Sequence, residues 1–342
     1  MGQDTLAVSY VVPVLNEELY VRATVESILS QVGVKDPEVF LVRGTSTDRT
    51  DEIIDELAAV HPEITVIENP RNGISIAMNL GFAAATRDIV VRVDAHSVLP
   101  PDYTRTMAAA LRESGAVNAG GRMRAEGLTA FQRAVAWAYN SRIGLGGGIY
   151  HVGGASGPAE SAYLGVFRRD AVLEVGGFDE TLSRGEDWEL NQRLRSDGGA
   201  VWFVPEIEVV YRPRSTVRTL AKQFFASGHW RGELMRRMPD RVSIRYLVPP
   251  LFVVGLGAAV VAAGVAPAVS GVARTAALTV AALPVAAYAA WVGAAVVSPG
   301  DLDRSARLRL LGVIPLTQVS WGVGCLLGLV SPRRGRGGFH GR

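Results

Sequence analysis

The stretch that decides the fold is residues 8–17, which read VSYVVPVLNE. Its first seven residues form a compact, mostly apolar run, which is typical of a strand buried on both faces. The run ends in Pro13-Val14-Leu15-Asn16, and Val21, Val25 and Ile28 then recur at helical spacing. We therefore predict a buried strand, a short loop and a helix.

The strand and helix pattern recurs further along the chain. Predicted strands cover 39–42, 64–67 and 89–93, and predicted helices hold Ile53, Ile54 and Leu57 and then residues 74–85. Ser46 or Thr47 is the predicted N-cap of the first of these helices. Alternating strands and helices indicate an α/β fold with a mostly parallel sheet that is covered on both faces.

The loops after the predicted strands hold most of the polar residues. Ligands of such sheets bind outside the carboxyl ends of the strands, so we expect Asn16-Glu17, Gly44-Thr45-Ser46 and Asp94-Ala95-His96 to converge. The chain has no Walker A motif, and Ile149 occupies the last glycine position of a dinucleotide fingerprint. The sequence therefore disfavours ATP or a nicotinamide cofactor as the ligand.

Two groups of titratable residues are candidates for chemistry. Asp94 and His96 follow a buried strand and could address one divalent cation, although an aspartate at a strand end is also a common turn residue. Glu186 and Asp187 precede the apolar residues Trp188 and Leu190. They suit the start of a helix whose dipole they complement and also a catalytic carboxylate site, and the two roles can coexist.

The C-terminal part of the chain differs in composition. The whole chain is 48% hydrophobic and 20% charged, with a mean hydropathy of +0.19 and a net charge of +2. The apolar residues concentrate in the runs 247–269, 276–297 and 310–330, each close to the roughly 20 residues that span a bilayer as a helix. We predict membrane spans rather than a buried helical core.

Arginines flank these runs and bear on their orientation. Five arginines precede the first run, and the start of the chain shows no secretory signal, so we expect the front domain to be cytoplasmic. Arg304, Arg307 and Arg309 favour a cytoplasmic loop before the third run. The arginines of the tail 332–342 also favour the cytoplasm, but a third crossing would place them outside. One run is then re-entrant or interfacial, or the charge rule fails here.

The predicted domains follow from these patterns. Residues 215–245 mix aromatic and basic side chains, as an interfacial amphipathic helix and linker would. The predicted limits are 1–214 for the α/β domain, 215–245 for this helix, 246–331 for the membrane helices and 332–342 for a basic tail.

Several motifs together resemble those of the inverting family 2 glycosyltransferases, which have the GT-A fold. The resemblance covers about residues 7–237 and is carried by residues 12–17, 46–48, 72–75, 94–96, 177–180 and 186–187. Residues 162–169 and 223–231 also look like the succinoglycan-biosynthesis branch, whose members carry C-terminal membrane segments and extend lipid-linked saccharides.

The resemblance implies roles for particular residues. Asp94 and His96 occupy the metal motif, usually written Asp-x-Asp, for Mn²⁺ or Mg²⁺. Asp187 matches the catalytic base, with Glu186 beside it. Tyr163 and Arg231 match positions that would contact the acceptor or a phosphate. Donor binding is implied for Pro13, Asn16, Glu17, Ser46, Asp48, Gly73 and Asp94.

One departure from the family pattern concerns the nucleotide. The family commonly has Asp-Asp-Gly before Ser-Thr-Asp, whereas this chain has Arg43-Gly44-Thr45. A UDP-sugar donor is therefore favoured only weakly, because the arginine that stands in place of a carboxylate suits a phosphate or a different base.

We expect a hexosyltransferase-type enzyme of the inner or plasma membrane that uses a nucleotide-sugar donor and a lipid-linked acceptor, with no nucleic-acid partner. The alternatives are a polyprenyl-phosphate sugar synthase and a catalytically degenerate nucleotide-sugar-binding scaffold.

Overall fold

The computed structural model describes residues 5–144, 148–182, 184–237, 244–298, 300 and 302–331. They group into two compact units: the described residues of 5–124 and 148–211 form the first, and those of 125–144 and 212–331 form the second. The domain limits predicted from the sequence stay a prediction. The structure adds that residues 125–144, from the last residue of a sheet strand onwards, group with the C-terminal helices.

The first unit is an eight-stranded sheet with helices. Its strands are β1 Ser9–Val14, β2 Glu38–Arg43, β3 Ile64–Glu68, β4 Ile89–Arg92, β5 Asn118–Ala125, β6 Gly157–Pro158, β7 Tyr163–Arg168 and β8 Val201–Tyr211. Its helices are α1 Val21–Leu29, α2 Thr50–Val60, α3 Ile74–Ala84, α4 Tyr103–Ser114, α6 Ile149–Val152, α7 Arg169–Glu174 and α8 Glu186–Ser196.

The strand order confirms the predicted α/β fold and its mostly parallel sheet. The order is β3-β2-β1-β4-β7-β5-β8-β6. Strands β1 to β4 pair in parallel, while β4 with β7, β5 with β7, and β6 with β8 pair antiparallel. The four strands predicted from the sequence are the parallel half, and the antiparallel half was not predicted.

Strand β1 lies between two apolar cores because successive side chains point to opposite faces. Val12 packs in one core and Val11 in the other, and both are fully buried. Helix α3 approaches β1 closely at Gly81, where a Cβ atom would lie 2.3 Å from Val11 Cγ1. The apolar run that opened the sequence is therefore the centre of the unit.

The predicted N-cap of α2 at Ser46 or Thr47 is wrong. The helix begins at Thr50, whose backbone N–H donates to Asp48 Oδ1 at 3.1 Å. Ser46 and Thr47 instead contact Asn16 of the preceding loop. The loop after β2 is longer than predicted because these contacts hold its first residues away from the helix.

The second unit consists of long helices. They are α5 Ala130–Asn140, α9 Val217–Arg237, α10 Val248–Val265, α11 Gly271–Val297 and α12 Arg304–Val330; one 3-10 turn, Ile244–Leu247, precedes α10 and another, Ala266–Ala268, follows it. The three predicted apolar runs fall in α10, α11 and α12, each long and apolar enough to cross a membrane. Helix α9 covers most of the predicted amphipathic segment, while residues 238–243 and the tail 332–342 lie outside the described residues.

Glycines bring α9 and α12 into close contact. A Cβ atom on Gly228 would lie 2.0 Å from Trp321 O, and one on Gly328 would lie 2.0 Å from His229 O. We therefore expect Gly228→Leu to force the helices apart and to destabilise the protein by about 1–3 kcal/mol, the usual cost of overpacking. Thermal unfolding in detergent measures this. Gly255→Leu in α10 is the matched control, since nothing lies within 4 Å of that position; equal effects of both changes would contradict the packing.

Candidate active site

The loops after β1 and β2 are joined by hydrogen bonds. Asn16 Oδ1 accepts from Thr47 N at 2.8 Å, and Asn16 N donates to Ser46 Oγ at 3.2 Å. Asn16 itself has a left-handed φ of 57°, which asparagine tolerates better than most residues. Glu17 N donates to Thr50 Oγ1 at 2.7 Å. The structure thus brings together the predicted donor-binding residues of these two loops.

The loop after β4 reaches the same place. His96 Nδ1 lies 2.9 Å from Glu17 Oε1, so the predicted metal motif contacts the predicted donor loop. This contact agrees with the prediction that the loops after β1 and β4 lie close together. Tyr163, at the start of β7, also faces this loop: its hydroxyl bonds to Ser97, and burial together with the nearby Asp94 carboxylate raises the pKa of Tyr163.

Arg92 is a site residue that the sequence analysis missed. Its buried guanidinium donates from Nε to Asp94 Oδ1 at 3.1 Å and from Nη1 to Glu186 Oε1 at 3.1 Å. It thereby links the predicted metal motif to the predicted catalytic pair, which lies 94 residues further along the chain. The available signal was a charged residue at the end of the apolar strand Ile89–Arg92. A buried charge almost always has a partner of opposite charge, so an arginine in this place indicates an ion pair.

Glu186 and Asp187 begin helix α8, as the helix-start interpretation predicted. Burial raises the pKa of Glu186, and the Arg92 charge opposes that rise. Asp187 is only partly buried, and its Oδ1 accepts from Trp188 N at 2.7 Å. The two carboxylates therefore differ in environment: Glu186 is held inside by an ion pair, whereas Asp187 lies nearer the surface.

Helix α3 holds the loop that leads to this pair. Asn79 Oδ1 accepts from Phe178 N at 2.7 Å, and Ser75 Oγ donates to Leu182 O at 2.9 Å. Gly177 needs its left-handed φ of +73°, and a Cβ there would lie 2.6 Å from Asn79 Oδ1. The motif at residues 177–180 thus positions the start of α8.

Other predicted donor residues support the loops. Asp48 holds the start of α2, and Gly73 caps α3 while its carbonyl accepts from Asn69 Nδ2 at 3.0 Å. Pro13 lies in β1 beside Val42. The roles assigned to these residues stay predictions.

Two arginines that the sequence analysis named, Arg43 and Arg231, have contacts other than the site residues described above. Arg43 donates to Asp55 Oδ1 at 2.6 Å and to Glu68 Oε1 at 2.8 Å, so its guanidinium is engaged by carboxylates of α2 and β3. Arg231 belongs to the second unit, where it lies 4.0 Å from the ring centroid of Tyr246 and 4.5 Å from that of Trp230. Such stacking is a cation–π contact.

The donor set at Asp94 and His96 fits a divalent cation that is shared with a phosphate ligand. A metal-ligating histidine commonly directs its second ring nitrogen to a carboxylate, as His96 Nδ1 does towards Glu17. Among the described residues, no group of three or more His, Cys, Asp or Glu side chains is arranged to hold a metal. The remaining positions would suit phosphate oxygens and water, which Mg²⁺ retains readily.

We expect Arg92→Met to destabilise the protein by about 3–5 kcal/mol, because it leaves the buried Glu186 and the nearby Asp94 without their shared cation. Thermal unfolding of the purified protein measures the loss. Arg71→Met is the matched control: Arg71 pairs with Glu180 at 2.8 Å, but the pair is exposed and should contribute about 1 kcal/mol or less. Similar small losses for both variants would show that Arg92 does not hold the site together.

Comparison with known proteins identifies the class. Residues 9–176 match the family model described as Glycosyl transferase family 2. The chain is 32% identical over 241 residues to the succinoglycan biosynthesis protein ExoA of Rhizobium meliloti (strain 1021), which covers 70% of this chain and 73% of that protein. The chain therefore belongs to glycosyltransferase family 2 and is a glycosyltransferase, which confirms the resemblance seen in the motifs.

Two further relatives are more distant. The chain is 24% identical over 241 residues to dolichyl N-acetyl-alpha-D-glucosaminyl phosphate 3-beta-D-2,3-diacetamido-2,3-dideoxy-beta-D-glucuronosyltransferase of Methanococcus voltae, covering 67% of this chain and 74% of that protein. The mannosyltransferase PcManGT from Pyrobaculum calidifontis, solved with GDP-Man and Mn²⁺, superposes with a TM-score of 0.58 at 19% identity, covering 94% of this chain and 87% of that one. This likeness shows the shared GT-A fold.

Proposed function

We propose that this protein is an inverting, membrane-anchored glycosyltransferase that moves a sugar from a nucleotide-sugar donor to a lipid-linked saccharide in cell-surface polysaccharide synthesis. The observation that carries the proposal is Arg92, which holds Asp94 of the loop after β4 and Glu186 of helix α8 in one largely buried ion-pair network. The names of the two curated relatives support it, since one concerns succinoglycan and the other a dolichyl-linked sugar.

The donor would bind where the loops of β1, β2 and β4 converge. Asn16, Ser46 and Glu17 present polar groups there for the nucleoside, and Asp94 and His96 would hold a Mn²⁺ or Mg²⁺ ion. Such an ion would offset the charge of the diphosphate. The structural relative solved with GDP-Man and Mn²⁺ supports the binding of a nucleotide sugar and a divalent metal. A UDP-sugar is favoured only weakly, because Arg43 replaces a carboxylate and is engaged by Asp55 and Glu68.

Asp187 would act as the catalytic base. Its position at the start of α8, partly exposed and next to the buried Glu186, suits removal of a proton from an acceptor hydroxyl. The hydroxyl oxygen would form a bond to the anomeric carbon from the face opposite the leaving group. The bond from that carbon to the diphosphate breaks, its electron pair leaves with the nucleoside diphosphate, and the proton passes to Asp187. A single displacement of this kind inverts the anomeric configuration.

Three apolar helices support a membrane anchor, and we propose that the catalytic unit faces the cytoplasm at the inner or plasma membrane. The arginines before the first span favour this side. A cytoplasmic face would also give the enzyme access to nucleotide sugars.

The test uses full-length protein in membranes, a panel of radiolabelled nucleotide sugars, and lipid extraction with and without EDTA. We expect label in a lengthened lipid-linked oligosaccharide, and EDTA should abolish it. Label in a sugar monophosphoryl lipid would instead establish the polyprenyl-phosphate synthase. Donor binding in a thermal shift without transfer or donor hydrolysis, across the panel, would establish a degenerate scaffold.

A further inference from the structure

Helices α9 and α12 run side by side in a defined register. Close contacts join Gly228 to Trp321 and Gly232 to Cys325, so each step of four residues on one helix matches four on the other. The helices are therefore parallel. Their offset is 93 residues in these contacts (321 − 228 and 325 − 232) and 99 in the reciprocal contacts of Gly324 with Phe225 and Gly328 with His229 (324 − 225 and 328 − 229). Arg236, near the end of α9, donates to Ser331 O just beyond the end of α12, as this register requires.

This register places charged residues beside the third apolar run. At offsets of 93 to 99, Lys222 lies level with residues 315–321 and Arg231 level with residues 324–330, both inside the run 310–330. Glu233 follows level with the end of this run, at residues 326–332. If α12 crossed the bilayer, α9 would have to cross beside it with these charges at hydrocarbon depth. Charged side chains are costly there, so a spanning α12 is unfavourable.

A second contact places non-helical backbone beside the middle of α12. Gln318 is buried and donates from Nε2 to Gly144 O at 3.2 Å. Gly144 lies in the turn after α5, outside any helix. Irregular backbone does not face lipid within a bilayer, so this neighbour also fits a position outside the hydrocarbon.

The two helices meet the first span at its beginning. A Cβ atom on Gly322 of α12 would lie 2.5 Å from Pro249 O, in the first turn of α10. Arg231 of α9 lies against Tyr246, just before the same helix. In α11 the buried residues are Val292 and Ala295, near its end. The most apolar 18-residue windows of α10 and α11 are each 11% buried, whereas that of α12 is 44% buried. Helix α12 is thus covered by other helices, and its contact with α10 lies at the first turn of that span.

We propose that α9 and α12 lie together along the membrane surface, on the side from which the chain enters α10, and that the chain crosses the bilayer twice, through α10 and α11. Interfacial helices keep apolar side chains against the headgroup and acyl boundary. Leu308, Leu311 and Leu327 of α12 are exposed and suit that boundary. The arrangement places Arg304, Arg307, Arg309 and the tail arginines on the same side as the arginines before the first span, as the charge rule expects.

Thiol labelling in oriented membrane vesicles tests the proposal. The only native cysteine, Cys325, is replaced by alanine, and single cysteines are introduced at three exposed positions: Val60→Cys in α2, Val272→Cys at the start of α11, and Val330→Cys at the end of α12. A membrane-impermeant maleimide is applied to inverted and to right-side-out vesicles. Position 60 is the control for the catalytic side and position 272 for the opposite side.

We expect positions 60 and 330 to react in vesicles of one orientation, and position 272 in the other. Reaction of position 330 together with position 272 would overturn the proposal and restore three crossings. An epitope added after Arg342 is digested by protease in the same vesicles, so a thiol shielded by lipid at position 330 still leaves a decisive result. Digestion from the side of position 60 supports two crossings, and digestion from the other side overturns them. The proposed transferase reaction plays no part in either outcome.

Discussion

Asp187→Asn should lower the turnover rate by about 10²-fold or more, the lower end of typical general-base contributions. The substitution keeps the size of the side chain and the oxygen that accepts from Trp188 N. It removes the charge that would take the acceptor proton. Because the base acts mainly in the transition state, the donor affinity and the unfolding temperature should stay close to those of the unchanged protein. Steady-state kinetics with donor binding by calorimetry measures both quantities.

Glu186→Gln separates the two neighbouring carboxylates. Glu186 is buried against Arg92, so its neutralisation leaves a buried cation with less compensation and should lower stability as well as activity. Asp187→Asn should change activity alone. If Asp187→Asn keeps the normal rate while Glu186→Gln has none, the base has been assigned to the wrong carboxylate. Normal transfer rates for both variants would contradict the proposed mechanism.

Asp94→Asn should reduce transfer by roughly 10²-fold or more, because a bound metal commonly contributes several kcal/mol to charge stabilisation and each 1.36 kcal/mol is a factor of ten. The amide keeps an oxygen near Arg92 Nε, which limits the structural effect. Mn²⁺ binding, measured by electron paramagnetic resonance in the presence of a nucleoside diphosphate, should weaken in parallel. This binding measurement does not depend on turnover.

Asp170→Asn is the matched control for the metal prediction. Asp170 is also an aspartate of the first unit, but its side chain is 81% exposed and it contacts only Arg169 among the ion pairs described. Its replacement should leave Mn²⁺ binding and transfer unchanged. Unaltered Mn²⁺ binding by Asp94→Asn would refute the assignment of Asp94 as a ligand, whatever its activity.

The local pattern of apolar and polar residues determined much of the fold of this protein. The apolar runs at β1, β2, β3 and β4 lie in the part of the sheet where strands are parallel. Strands β1, β2 and β4 are buried over most of their length, as parallel strands usually are, whereas β3 lies at the sheet edge and is half exposed. Such strands leave a direct signal in the sequence, and the polar residues that follow them must meet at one edge. The amino-acid pattern alone therefore places Asn16, Glu17 and His96 together, and the apolar runs of α10, α11 and α12 are recognisable from their length.

The antiparallel half of the sheet was not predicted because β5 is interrupted by glycines and charged residues, as in GGRMRA at 120–125, and β7 is interrupted by Gly165. Their pairing depends on partners far along the chain. For the same reason, the sequence marked Arg43 as a departure from the family pattern but could not show that Asp55 and Glu68 surround it.

Only the tertiary structure revealed the links on which the site and the anchor depend. Arg92 and Glu186 lie 94 residues apart, and nothing local to either one predicts an ion pair between them. In the sequence, the glycines of α9 and α12 likewise resemble any other small residues. The register of the two helices shows that each glycine allows the backbone of the opposite helix to approach closely. Periodicity reports which face of an element is apolar, whereas the identity of the partner on that face is decided by folding of the whole chain.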